Sequence, residues 1–333
     1  MHFGGVTASL PSPRDASAAS AHKLFSFRRT GAIAGNTLRD LVRQKVFYFM
    51  IVFALILIGM SLFLVSMSFQ GQLQTLMDVS LGAMSVFSMF LAVLATAMLL
   101  PKDMEDRTLY TILAKPVARF EYLLGKLCGV AAMLTIAVVL MTTFFSAILG
   151  VWQARELGRI EAEYPAEEIA QAEAAGRAKP GTAERMGQQR ELEVSRLKAA
   201  TFTPTLFGGI AVILLRAMVI AGLTLMVSAF STSWLFTVVV AFMVVLIGFL
   251  VPVARDVWQG QAGIGGDLPG YLKLFLLAVT VFCPDMQIFN VVDDIAAGSV
   301  VTSQMFLQTA GLGVGYLAVY IFVGYLFFAW REL

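Results

Sequence analysis

The sequence predicts an all-α polytopic membrane protein, on three observations. Hydrophobic residues make up 58% of the chain and charged residues 14%, against roughly 25% charge in an average soluble protein. Six segments stay apolar for about the 20 residues that a helix needs to cross the hydrocarbon core. The charge that exists gathers between those segments.

The same figures exclude several function classes. A soluble surface needs more charge than this. A formal net charge of +2 argues against nucleic acid as a partner. Cys128 and Cys283 lie far apart in apolar surroundings, form no zinc spacing and read as buried thiols. The only histidines, His2 and His22, lie in the N-terminal tail, so a metal site inside the spans lacks ligands. A Ser–His intramembrane protease lacks its base for the same reason. The 17 methionines form no short-spaced cluster and read as apolar filling rather than a copper conduit. No enzyme, bound metal or cofactor is expected in this chain.

Along the chain, residues 1–31 read as a disordered cytoplasmic tail, rich in Ser, Ala and Pro over 1–27 and without the apolar core of a signal peptide. Residues 32–46 read as an amphipathic elbow helix. Ile33, Leu38, Leu41, Val42 and Val46 share one face, and Asn36, Arg39, Asp40, Arg43 and Gln44 the other. Such a helix either lies in the membrane interface or simply extends the first span. The spans are 47–69, 79–100, 127–150, 206–229, 234–253 and 305–330, and all but the fourth are free of charged residues. Between the third and fourth lies a charged insertion, 151–205, with eight basic and nine acidic residues. Leu157, Ile160 and Tyr164 at helical spacing, Pro165, and a Gly176–Gly181 turn make it a helical hairpin, either a solvated spacer or a docking site for an extracytoplasmic partner. Residues 254–273 are a Gly-rich loop. The apolar run 274–284 is too short to span and reads as re-entrant or interfacial, tolerable at depth only under protein cover. Asp285, Asp293 and Asp294 beyond it read as solvated loop charges rather than as substrate or metal ligands.

Lys and Arg favour the cytoplasmic side of short loops. The 1–46 segment and the 101–126 loop are rich in them, the loop after the first span has none, and Arg331 follows the last. Both termini are therefore expected in the cytoplasm of an inner (plasma) membrane, with 151–205 outside.

The inner loop 101–126 is the most informative stretch. Leu109, Ile112 and Leu113 make one apolar face, Glu105, Asp106 and Arg107 stay polar, and Pro116 ends the short helix. A helix of this kind is either a plain interfacial loop or a docking element for a soluble motor. The run Glu105-x-Arg107-Thr108-x-Tyr110-x-x-Leu113-x-Lys115-Pro116-Val117-x-Arg119, closing with Gly125-Lys126, resembles the inner loop of ABC-2 type transporter permeases. It is most similar to the branch of multicopper-enzyme and nitrous-oxide-reductase maturation permeases. Asn36–Asp40 through Lys45, Pro284 with Phe289-Asn290, and Phe328–Leu333 resemble that family's elbow helix, its segment before the last span and its C-terminus. The resemblance covers the chain outside 1–30 and 151–205.

The resemblance implies a six-span permease subunit that dimerises and pairs with a soluble P-loop ATPase, which binds ATP and magnesium. It implies ATPase coupling through Glu105, Asp106, Arg107, Thr108, Tyr110, Lys115, Pro116 and Arg119. It also implies an elbow helix, carrying Arg39, Asp40 and Arg43, anchored against membrane lipid. The chain has no G-x-x-x-x-G-K-[ST] loop of its own. Its spans hold no Asp or Glu, whereas proton-coupled carriers place acids there. An exporter is the expectation; a scaffold passing ATPase motion to an outer partner is the alternative. Arg216 is the lone charge within a span, a candidate on the translocation path or a structural Arg satisfying carbonyls. Gly125-x-x-x-Gly129 and Gly311-x-x-x-Gly315 are candidate close-packing motifs.

Overall fold

The structure, a computed structural model, describes residues 26–67, 71–105, 118–165, 170–171, 173–176, 179, 181–258, 269–290, 295 and 303–330. Among them it is helical, with no strand. Six helical stretches are long and apolar enough to cross a membrane, as the fold class required.

The tail expectation needs correction first. Helix α1 covers Phe27–Val42, so residues 27–31 are helical rather than tail. Apolar periodicity does not extend that far. What orders these residues is tertiary: the backbone N–H of Ser26 donates to Glu121 Oε1 at 2.7 Å, and Thr30 is buried. A break at Arg43–Gln44 leads into α2, Lys45–Met67. Helix α3, Gln72–Ala97, follows, and the short α4, Leu99–Glu105, continues it.

Helix α5, Arg119–Glu163, has 45 residues. At 1.5 Å per residue it is about 68 Å long, more than twice a hydrocarbon core of about 30 Å. The third span therefore continues unbroken into the insertion. It ends two residues before Pro165, whose ring disfavours helix in the residue before it. Gly176 and Gly181 both adopt left-handed backbone, at φ 70 and 79, which costs glycine little. Helix α6, Thr182–Thr201, runs back. Glu173 covers its first turn, accepting from Gly181 N at 2.5 Å and Ala183 N at 3.2 Å. Arg190 meets Glu161 across the pair at 2.5 Å. Among its described residues the insertion holds the end of α5 and the returning helix α6.

Helix α7, Pro204–Phe230, opens with Thr203 accepting from Leu206 N and with proline in its first turn, where a missing N–H costs nothing. It is the central helix. Its apolar stretch is 78% buried, against 22% for the last helix, α10, Ser303–Trp330. α7 packs on α3, α5 and α10. Along α10, Gly311 and Gly315 meet open space, so among the described residues the motif read there packs against no helix of this chain. Gly313 between them takes Leu215 instead, which a Cβ would meet at 2.8 Å.

Helix α8, Trp234–Trp258, contains Pro252. Proline has no N–H for the carbonyl four residues earlier, and that carbonyl, Gly248 O, accepts from Met286 N at 3.1 Å. Gly248 also lets the chain in: a Cβ there would lie 2.7 Å from Pro284 O. The returning segment 283–290 thus docks on the one place where α8 has a free acceptor and no side chain. Before it, α9, Gly270–Phe282, has 13 residues, about 20 Å of helix, too short to span. Tyr320 of α10 donates to Phe282 O at 3.2 Å and ties down its end.

Asp285 is not the solvated loop charge expected. Its side chain is 2% exposed and pairs with Arg255 of α8 at 3.0 Å. Its other oxygen accepts from Gln287 N at 3.0 Å. Cys283 is buried as expected, but Cys128 is exposed on α5. Asp293 and Asp294 lie outside the described residues.

Candidate functional site

The first two turns of α5 gather more charge than any other buried place in the described bundle. Each charged side chain there reaches a different element. Arg119 donates to Phe328 O and Ala329 O of α10, both at 2.9 Å. These belong to the last turn of α10, whose carbonyls have no partner within the helix. Its guanidinium lies 6.0 Å from the Phe328 ring, and Tyr122 stacks on the same ring at 5.9 Å.

Glu121, fully buried, holds α1. It accepts from Ser26 N and, at 3.2 Å, from the Arg29 guanidinium. Glycines one and two turns on let α1 come close. A Cβ at Gly125 would sit 2.8 Å from Ile33, and one at Gly129 would sit 2.6 Å from Thr37 and 2.9 Å from Ala34 O. The first of the two glycine motifs is therefore used, and it seats α1 rather than one of the six long apolar helices. The contacts advance together along both helices, so α1 runs beside α5. Its expected lipid-facing side is spent partly on protein: Leu41 is buried, and Ile33, Leu38 and Val42 pack on the core. Arg39, Asp40 and Arg43 stay on the open face.

Lys126 holds α4. Its ammonium, 7% exposed, meets Asp103 Oδ2 at 2.5 Å, and the Tyr122 hydroxyl donates to the same oxygen. A lysine buried this far is stable as a cation only beside such a carboxylate. Arg119, Glu121, Tyr122 and Lys126 thus fasten α10, α1 and α4 to one helix start, and they are the last part of the 101–126 stretch singled out in the sequence, which is helical from Arg119 on. Of that loop, Asp106, Arg107, Thr108, Tyr110, Lys115 and Pro116 lie outside the described residues. Glu105 is described only as the last residue of α4.

Arg216 sits far from this cluster, at the middle of α7, and is 6% exposed. Its Nη1 donates to Ser85 Oγ of α3 at 3.1 Å, and its guanidinium lies 4.9 Å from the Phe249 ring of α8. Among the described residues no carboxylate pairs with it.

No family model matches the chain, and no curated protein matches it. The resemblance to ABC-2 permeases rests on the motif residues alone.

Sequence reasoning missed Arg29, Asp103, Glu121 and Ser85 as partners. Charges at the borders of spans hinted at the first three. Ser85 carried no signal, being one of three serines in an apolar helix.

Proposed function

We propose that this chain is the membrane-spanning permease subunit of an ATP-driven ABC-2 type transporter. It is an exporter in the plasma membrane, with both termini cytoplasmic. It works as a homodimer with a separate P-loop ATPase that binds ATP and magnesium. The observation that carries this reading is the fastening of three elements to the first two turns of α5. Residues 106–117 connect α4 to α5, and Lys126–Asp103 locks those two helices together beside the connection. A push on the loop then moves both as one body. Arg119 passes it to α10, and Glu121 passes it to α1 and so toward the first span.

In this mechanism Glu105, Asp106, Arg107, Thr108, Tyr110, Lys115 and Pro116 face the ATPase. Arg39 and Arg43 on the open side of α1 meet lipid headgroups. Arg216 lies on the translocation path. The chain contributes no nucleotide chemistry; it receives motion. Charge reversal at Glu105 or Arg107 should abolish the stimulation of a co-purified ATPase by the permease while leaving the chain folded. Robust transport by the purified chain without ATP would overturn the reading.

One observation favours a second reading. α5 runs without a break from the cluster to Glu163, so motion at its start reaches the hairpin tip. On this reading the protein is a scaffold that drives an extracytoplasmic partner and moves no substrate. Shortening the hairpin while keeping the spans separates the two. Transport that survives in full, with no partner lost, rules out the scaffold.

A further inference from the structure

Among the described residues Arg216 is a buried cation without a counter-charge. A lone charge in hydrocarbon costs several kcal/mol, and hydroxyls and ring faces offset only part of that. Here the described surroundings supply one hydroxyl, Ser85 Oγ, and one ring, Phe249. The Nε–H is thus a buried donor with no acceptor among the described residues, on the edge that takes an oxyanion with two parallel N–H···O bonds.

The helices beside it carry more unmet polarity. Thr96 Oγ1 on α3 and Ser228 Oγ on α7 are likewise buried without partners. α3 and α7 run in the same direction, since each reaches the α1 end of the bundle at its C-terminus. Counted along the two helices from the Ser85–Arg216 hydrogen bond, Thr96 comes level with Val227 and Ser228. These hydroxyls lie 11 and 12 residues further along their helices, about 16–18 Å toward the α1 end. Natural cores rarely leave hydroxyls unsatisfied. Two at one level, in line with an unpaired arginine, make a polar seam through the most buried helix pair.

We propose that Arg216 and Ser85 form a subsite for a singly charged oxyanion, reached from the α1 end along the Thr96–Ser228 seam. One guanidinium balances one negative charge; a dianion would leave a net charge buried. A carboxylate, a sulfate ester or a phosphodiester meets the requirement, whether on a free small anion or on the head of an amphiphile. Ser85 accepts from Arg216 and has its own hydroxyl hydrogen to give to the anion. Phe249 covers the guanidinium face and keeps water from it. Calling the anion a transported substrate rests on the permease reading; its binding at Arg216 does not.

The test uses the full chain in nanodiscs of zwitterionic phosphatidylcholine. Acetate, octanoate, octyl sulfate and, as a control, octyltrimethylammonium are titrated while the thermal unfolding midpoint is followed. Octanoate and octyl sulfate are expected to raise the midpoint of the wild type, and the cation is not. Stabilisation by acetate as well identifies a site for the free anion; its absence identifies the head of an amphiphile. Arg216→Leu should weaken the response about tenfold to a hundredfold, the range for a charge-assisted hydrogen bond. Arg216→Lys should retain part of it. Ser85→Ala gives an intermediate loss and guards against misfolding of the leucine variant. Equal stabilisation of wild type and Arg216→Leu, stabilisation by the cation, or no response to any anion overturns the proposal. Each sample is also probed for the ATPase. Anion binding without an ATPase partner leaves the subsite standing and removes the permease reading; an ATPase partner without anion binding does the reverse.

Discussion

Glu121 shows what one buried charge does in this bundle. It is fully buried, and among the described residues one of its oxygens has no hydrogen-bond partner while the other accepts from Arg29 and Ser26. Arg29 itself is 30% exposed, which makes it the safer residue to change. Arg29→Ala strands a carboxylate in a dry site and should destabilise the protein by about 1–3 kcal/mol. Glu121→Gln in the same chain removes the stranded charge and should restore much of that loss. A four-way comparison of unfolding midpoints measures the coupling. Additive effects would show that the pair does not interact. Tyr122→Phe removes a donor to Asp103, already bound by Lys126, and should cost about 1.5–3 kcal/mol in the same assay.

Elements in this protein meet where side chains are missing. At Gly129 even a methyl group would overlap Thr37 and Ala34 O, and a backbone carbonyl does not move aside cheaply. Gly129→Ala should destabilise by about 1–3 kcal/mol through overpacking and loosen α1, read as faster proteolysis near Arg28. Gly311→Ala is the control, since nothing lies near it. That change should be neutral, or stabilising by up to about 1 kcal/mol from helix propensity. Gly248→Ala tests the second docking point. It would press on Pro284 O and should release the returning segment 283–290, read as exposure of Cys283 to a thiol reagent. Unchanged thiol reactivity would contradict the close packing described for α8.

At the scale of the whole molecule, orientation is the property to test. The hairpin and the α1 end lie at opposite ends of α5. In a background with Cys128 and Cys283 replaced by serine, Gln188→Cys should react with an impermeant maleimide in intact cells. Phe27→Cys should react only after permeabilisation. Labelling of both from outside would invert or abolish the proposed topology, and with it the cytoplasmic ATPase contact.

Much of the helix content was legible in the residues. The six helices long and apolar enough to cross a membrane follow from apolar length, and the helix stop before Pro165 follows from turn chemistry. Boundaries were less so. α1 begins early because Glu121 and Gly125, nearly a hundred residues away, hold its first turn. Arg119 and Phe328 were read in separate stretches, and nothing in either announced that they touch. The two glycine motifs looked alike, yet one seats a helix and the other faces open space. Arg216 stood out as the lone charge in a span, but Ser85 and the unpartnered hydroxyls of Thr96 and Ser228 did not.

The sequence by itself determined how many times the chain can cross a membrane and where its charge lies. Those follow from the energy of moving each segment out of water, which is local and nearly additive. The tertiary structure alone decided which charges are paired, which glycines are contacts, and that Arg216 has no counter-charge among the described residues. Pairing depends on the register between helices far apart in sequence, and a rotation or slip of one turn would exchange every partner named here.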